Sequence, residues 1–171
     1  MMTPDYCRMM ARYNAWQNKQ MKAALEALDH ETLTQDRGAF FGSILKTANH
    51  ILWGDLIWMA KFDGGEPPSG GIPGSVDLNP TLAAWSADRF RTDARILNWA
   101  RRVQTVELLG EMRWYSGAMG TNVAVPTPQC VTHFFNHQTH HRGQIHAMVT
   151  AAGGTGWNTD LVFMPKDGPW L

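Results

Sequence analysis

The chain has 171 residues, 44% hydrophobic and 18% charged, and its fifteen basic and fifteen acidic side chains cancel to no net charge. That composition excludes a disordered chain, and the absence of any Lys/Arg block removes the phosphate attraction expected of a nucleic-acid-binding domain. The length suits a single domain over residues 1–171, and no apolar run approaches the roughly 18 residues a membrane helix needs.

The opening stretch, MMTPDYCRMMARYN, lacks the cationic start and apolar centre of a secretory signal. With Cys7 and Cys130 outside any Cys-x-x-Cys motif, buried reduced thiols and a cytoplasmic location are expected. Eight tryptophans and ten methionines point to a helical core filled by large, adaptable side chains.

In chain order, a first helix is predicted over about residues 4 to 28, started by Thr3 as cap with Pro4 behind it. Met9, Tyr13, Trp16, Met21, Leu25 and Leu28 fall at helical spacing, so Tyr13 and Trp16 are read as core. A second helix, FGSILKTANHILWGDLIWMAKF, runs from about residue 41 to 62 and is apolar on most sides, as a central, buried helix would be. DGGEPPSGGIPG, residues 63 to 74, holds too much Gly and Pro to continue it and is read as a surface loop, with a lid as the alternative.

A third helix is predicted from near Asn79 to about Arg102, with Trp85, Phe90, Ala94, Leu97 and Ala100 facing inward and its arginines and aspartates facing water. QTVELLGEMRWYSGAMGTNVAVPTP reads as two short extended pieces and a turn. A fourth helix starts near Thr127-Pro128 and ends before the GGTG at 153 to 156. The tail is expected to be extended and held by Leu161, Phe163 and Trp170. Four long helices without repeats or a βαβ rhythm predict an all-α, four-helix-bundle fold with a short extended insert before the last helix.

The last helix contains HFFNHQTHHRGQIH, with five of the seven histidines. At about 100° per residue and with His137 as origin, Phe134, His141, Ile145, Met148 and Ala152 cluster around roughly +50°. His137 and His141 therefore point inward as an i,i+4 pair able to chelate one ion. Two buried neutral histidines, each with its own hydrogen-bond partner, are the alternative. His133 and His140 fall at the boundary and His146 outward, while Arg142 is read as the structural partner of a carboxylate. His50, midway along the second helix, is the candidate third ligand, although an all-apolar helix does not orient it; Asp55 is a weaker one. The spacing matches the His-Glu-x-x-His of metalloproteases, but Gln138 stands at the glutamate position and an amide cannot take a proton from water.

FFNHQTHHRGQIHAM resembles the last-helix motif of the DinB/YfiT-like family, close to NHxxxHRGQ. RYNAWQNKQM is similar to that family's Tyr-Asn-x-Trp opening, and LKTANHILWGDLIWM to its second-helix histidine segment. The resemblance spans essentially the whole chain. It implies a damage-inducible-type four-helix bundle, often a homodimer, binding one zinc or nickel ion through His50, His137 and His141. Relatives include transferases and isomerases that use a low-molecular-weight thiol such as mycothiol or bacillithiol, so metal activation of a thiol for a small-molecule substrate is the leading expectation. Hydrolysis with metal-activated water, and a non-catalytic metal-binding stress protein, are the alternatives. Asn14 or Gln144 would orient a ligand or substrate, and His133 and His140 are left as pocket or surface residues.

Overall fold

A computed structural model describes residues 2–117 and 119–171. Helix α1, Pro4–Glu26, begins where Thr3 accepts a hydrogen bond from the Tyr6 amide at 3.2 Å, with Pro4 in the first turn, as its sequence predicts. A short α2, His30–Thr34, is capped by Asp29. Helix α3, Ile44–Asp63, starts at the cap Ser43 and stops at Gly64, whose φ of 76° only glycine adopts without strain. It starts three residues later than expected because Gly42 turns the chain at positive φ before the cap.

The Gly/Pro segment after α3 does not stay a featureless loop. It closes into α4, Gly71–Gly74, and a 3-10 turn, Ser75–Asp77, with Ser75 fully buried. Helix α5, Leu82–Arg102, is capped by Thr81 rather than near Asn79. Asn79 instead exchanges hydrogen bonds with Asn49 of α3, which fixes this connection to the helix. The expected extended pieces are strands β1, Glu111–Ser116, and β2, Thr121–Pro126, paired antiparallel from Glu111 opposite Pro126 to Ser116 opposite Thr121. Helix α6, Thr127–Ala151, follows directly.

The fold is thus predominantly helical with one small sheet among the described residues. Helices α1 and α3 each pack against both α5 and α6. No helix among the described residues is long and apolar enough to cross a membrane.

The buried interior has two apolar regions. One collects Ala11 and Ala15 of α1, Met59 of α3, Ile96 of α5 and Phe135 of α6. The other collects Met21, Leu52, Trp85 and Ile145 from the same four helices. Along each helix, polar side chains lie at or next to the junction of the two contributions: Asn14 and Asn18, Asp55, Arg89 and Asp93, then Gln138 and Arg142, all buried.

These residues bond to one another across the interior. The Arg89 guanidinium donates to Asp55 at 2.6 Å and to Asp93 at 2.8 Å. Asn18 and Asn14 donate to Asp93 at 2.9 and 3.2 Å, and Gln138 donates to Asp55 at 2.8 Å. Arg142 donates to the Asn14 carbonyl oxygen. Burial opposes the charge on Arg89, but Asp93 and Asp55 beside it hold its pKa above the ordinary value.

This polar layer corrects several expectations. Arg89 and Asp93 of α5 face inward, not toward water, because they neutralise each other one turn apart. Phe90, the next residue, is consequently turned outward and 59% exposed. Arg142 lies in the core and reaches a carboxylate only through Asn14. Tyr13 is buried, as expected, and its hydroxyl donates to the Thr159 carbonyl at 2.6 Å. In the tail Trp170 packs on the first apolar region, but Phe163 is exposed, and the second anchor is Trp157, whose indole donates to Gln17 at 3.0 Å.

A candidate metal centre between two helices

Helix α3 is buried on most sides, so His50 near its middle has little access to water and needs partners for both ring nitrogens. Helix α6 directs His137 and His141 toward it from adjacent turns. One ring nitrogen from each of the three lies within 4.8 Å of the others, an arrangement that could hold a metal ion. His50 Nε2 and His137 Nε2 are 3.2 Å apart.

The surroundings determine which nitrogen of two rings carries the proton. Ser75 donates its hydroxyl proton to the Ile72 carbonyl at 2.6 Å, so toward His50 Nδ1, 2.8 Å away, it can only accept. His50 is therefore protonated on Nδ1 and presents the lone pair of Nε2. His141 Nδ1 lies 2.7 Å from the Gln144 amide oxygen, which only accepts, so its Nε2 is likewise left unprotonated. Gln144, one of the two residues expected to orient a ligand or substrate, is the hydrogen-bond partner of His141.

The third ring is set by shape. A β-carbon on Gly54 of α3 would stand 2.9 Å from His137 Cε1, so the absence of a side chain there admits the imidazole. Phe41 covers the group on one side, its ring centroid 4.0 Å from that of His50 and 5.4 Å from that of His141.

Burial disfavours the charged form of all three rings. It lowers His50 to about 4, with help from His141, and lowers His137 to about 3, with help from His141, His50, His133 and His140. His141 is lowered too, by burial first, although its bond to Gln144 opposes the shift. At neutral pH the cluster is a set of uncharged nitrogen donors, the form in which imidazole binds a metal.

The remaining sequence candidates are placed differently. His133 is exposed, its ring 5.2 Å from that of Trp58 and 5.7 Å from that of His137. His140 is exposed against His141, at 4.8 Å between centroids. Asn14 is not turned to the histidines: both ends of its amide are taken by Asp93 and Arg142. Asp55 is not in the cluster either, because its carboxylate is engaged by Arg89 and Gln138. His146, expected to face outward, is half-buried against Trp157. Sequence reasoning missed Ser75, Phe41 and Gly54; only Gly54, a glycine inside a long apolar helix, carried a signal.

Fold and site define a class: a predominantly helical protein with a buried three-histidine group between two of its long helices. The comparisons give that class a family. The model of the DinB family matches residues 1–168, and the chain belongs to that family. The protein is also similar to Protein DinB of Bacillus subtilis (strain 168), with 29% identity over 171 residues, covering 95% of this chain and 96% of that one.

Proposed function

We propose that this protein binds one divalent cation, zinc or nickel, through His50, His137 and His141, and uses it to activate a low-molecular-weight thiol toward a small-molecule substrate. The observation that carries this reading is the commitment of two Nδ1–H groups, to Ser75 and Gln144, which leaves the opposite nitrogens of those rings free beside His137. Buried histidines that merely satisfied each other would pair an N–H with a lone pair, whereas His50 and His141 both turn an unprotonated nitrogen toward the group. In the same reading the ring of contacts among α1, α3, α5 and α6 is a four-helix bundle, and the strands are an insert before its last helix.

The residues fit the group by their chemistry. Three neutral imidazoles leave the cation's charge intact, and such an ion supplies a Lewis acid that favours the deprotonated form of a thiol or of water. The chain's part is to hold His50 and His141 in one tautomer and shield them beneath Phe41, and to keep the donors uncharged at neutral pH. Asp55, the carboxylate nearest His50 in the sequence, is occupied by Arg89 and Gln138, so the chain offers it to neither the ion nor a reacting water. A thiol, once deprotonated, needs no further base, and this favours thiol transfer over hydrolysis.

Cobalt-substituted protein titrated with small thiols tests the reading. A sulfur-to-cobalt charge-transfer absorption that saturates with thiol is expected. A spectrum unmoved by any thiol would leave metal binding without thiol activation.

A further inference from the structure

A cavity of about 640 Å³ is lined by Trp53, Ile57 and Lys61 of α3, by Ile72, and by Trp114 and Tyr115 of β1. None of the three histidines lines it, but two of its residues connect it to them. The Trp53 ring stacks with that of His50, 6.2 Å between centroids, and the Ile72 carbonyl holds the serine that orients His50. With His50 as origin, Trp53, Ile57 and Lys61 lie within about 60° of it on the helix, so one face of α3 runs from the histidine to the lysine.

Lys61 is half-buried at the far end of that face, and among the described residues no carboxylate pairs with it. Its ammonium lies 5.2 Å from the centroid of Trp58 and 5.7 Å from that of Trp114, with a long 3.5 Å contact to the Ile57 carbonyl. Arg89 and Arg95, by contrast, are each held by aspartate. Burial also weakens the hold of Lys61 on its proton, which an arriving anion would reverse. A half-buried cation against aromatic walls, with no anion of its own, is a recognition element for one.

We propose that this cavity takes an elongated substrate or thiol with an apolar or aromatic middle and a terminal carboxylate, the carboxylate bound by Lys61 and the reacting end directed toward His50, His137 and His141. The proposal rests on the three-histidine reading above. A carboxylate suits the site better than a phosphate dianion, because one ammonium in an apolar wall neutralises one charge and leaves a second uncompensated. Length is set by the helix. His50 and Lys61 are about 16 Å apart along the axis, and lysine side chains lean toward the helix N-terminus, so the two ends of the ligand lie roughly 10 Å apart.

Two probes test it by tryptophan fluorescence and calorimetry on the zinc-loaded protein: para-(mercaptomethyl)phenylpropanoate and its methyl ester. The acid is expected to bind about tenfold or more tightly than the ester. Lys61→Met should bring the acid to the ester's affinity and leave the ester unchanged, while Lys61→Arg should restore most of the difference. Circular dichroism of each variant verifies its fold. Equal affinities in the wild type, an acid preference that survives Lys61→Met, or no binding of either probe would overturn the proposal. The metal reading is tested separately by His137→Ala. Loss of affinity for both probes with the acid preference retained supports the anion site and the metal site together. Unchanged affinity for both, with the preference still dependent on Lys61, refutes the metal reading and supports the anion site alone.

Discussion

Gly54 of α3 lies against the ring of His137 on α6, where an added β-carbon would stand 2.9 Å from Cε1. A single missing side chain therefore sets how closely the two helices bring their histidines together. Gly54→Ala should favour the helix by up to about 1 kcal/mol in propensity while displacing His137. The expected result is a folded protein with metal affinity lowered at least about tenfold, read by competition with a chromophoric chelator. Unchanged affinity would mean that His137 is not a ligand.

Ser75 acts on the same site through His50. Ser75→Ala removes the acceptor at 2.8 Å from Nδ1 and frees His50 to take the other tautomer. Metal affinity should fall by about 10- to 100-fold, and Gln144→Ala should act similarly through His141. Each variant should retain the helical circular dichroism of the wild type.

The lowered histidine pKa values fix a direction for pH. An unfolded chain protonates His50 and His137 near the ordinary 6.5, whereas the folded protein without metal resists until about 4 and about 3. Between those limits the unfolded state binds more protons, so stability falls as pH drops from 6.5 toward 4. The melting temperature of the metal-free protein should decline below about pH 6.5, less steeply in His50→Gln. A slope unaffected by that substitution would show that His50 is not the group responsible.

Arg89 makes the strongest prediction about stability. It is 2% exposed and lies between Asp55 and Asp93. Arg89→Met leaves both carboxylates buried without their cation and should cost about 3–5 kcal/mol, read as a lower urea midpoint. Arg91→Met, at an exposed position on the same helix, should change it little.

The long helices were legible in the sequence where their ends carry readable local signals, the cap Thr3 and the stop at Gly64, while the cap Ser43 escapes the sequence reading, which places its helix three residues early. The inward direction of His141 could be read from one helix, since its neighbours Phe134, Ile145 and Met148 are apolar. The buried polar layer could not. Whether Arg89 or Gln138 faces water depends on Asp55, a residue 34 positions from Arg89 and 83 from Gln138, and the periodicity of one helix does not record its partners on another. Ser75 was hidden for the same reason. A stretch rich in Gly and Pro reads as loop whether or not one hydroxyl reaches a histidine.

The most direct measurement is metal content by mass spectrometry on untagged protein, wild type beside His50→Ala and His137→Ala. About one zinc or nickel ion per chain in the wild type, lost in both variants, is the predicted result. A wild type that stays free of metal when divalent ions are supplied, or variants that retain the ion, would contradict the account.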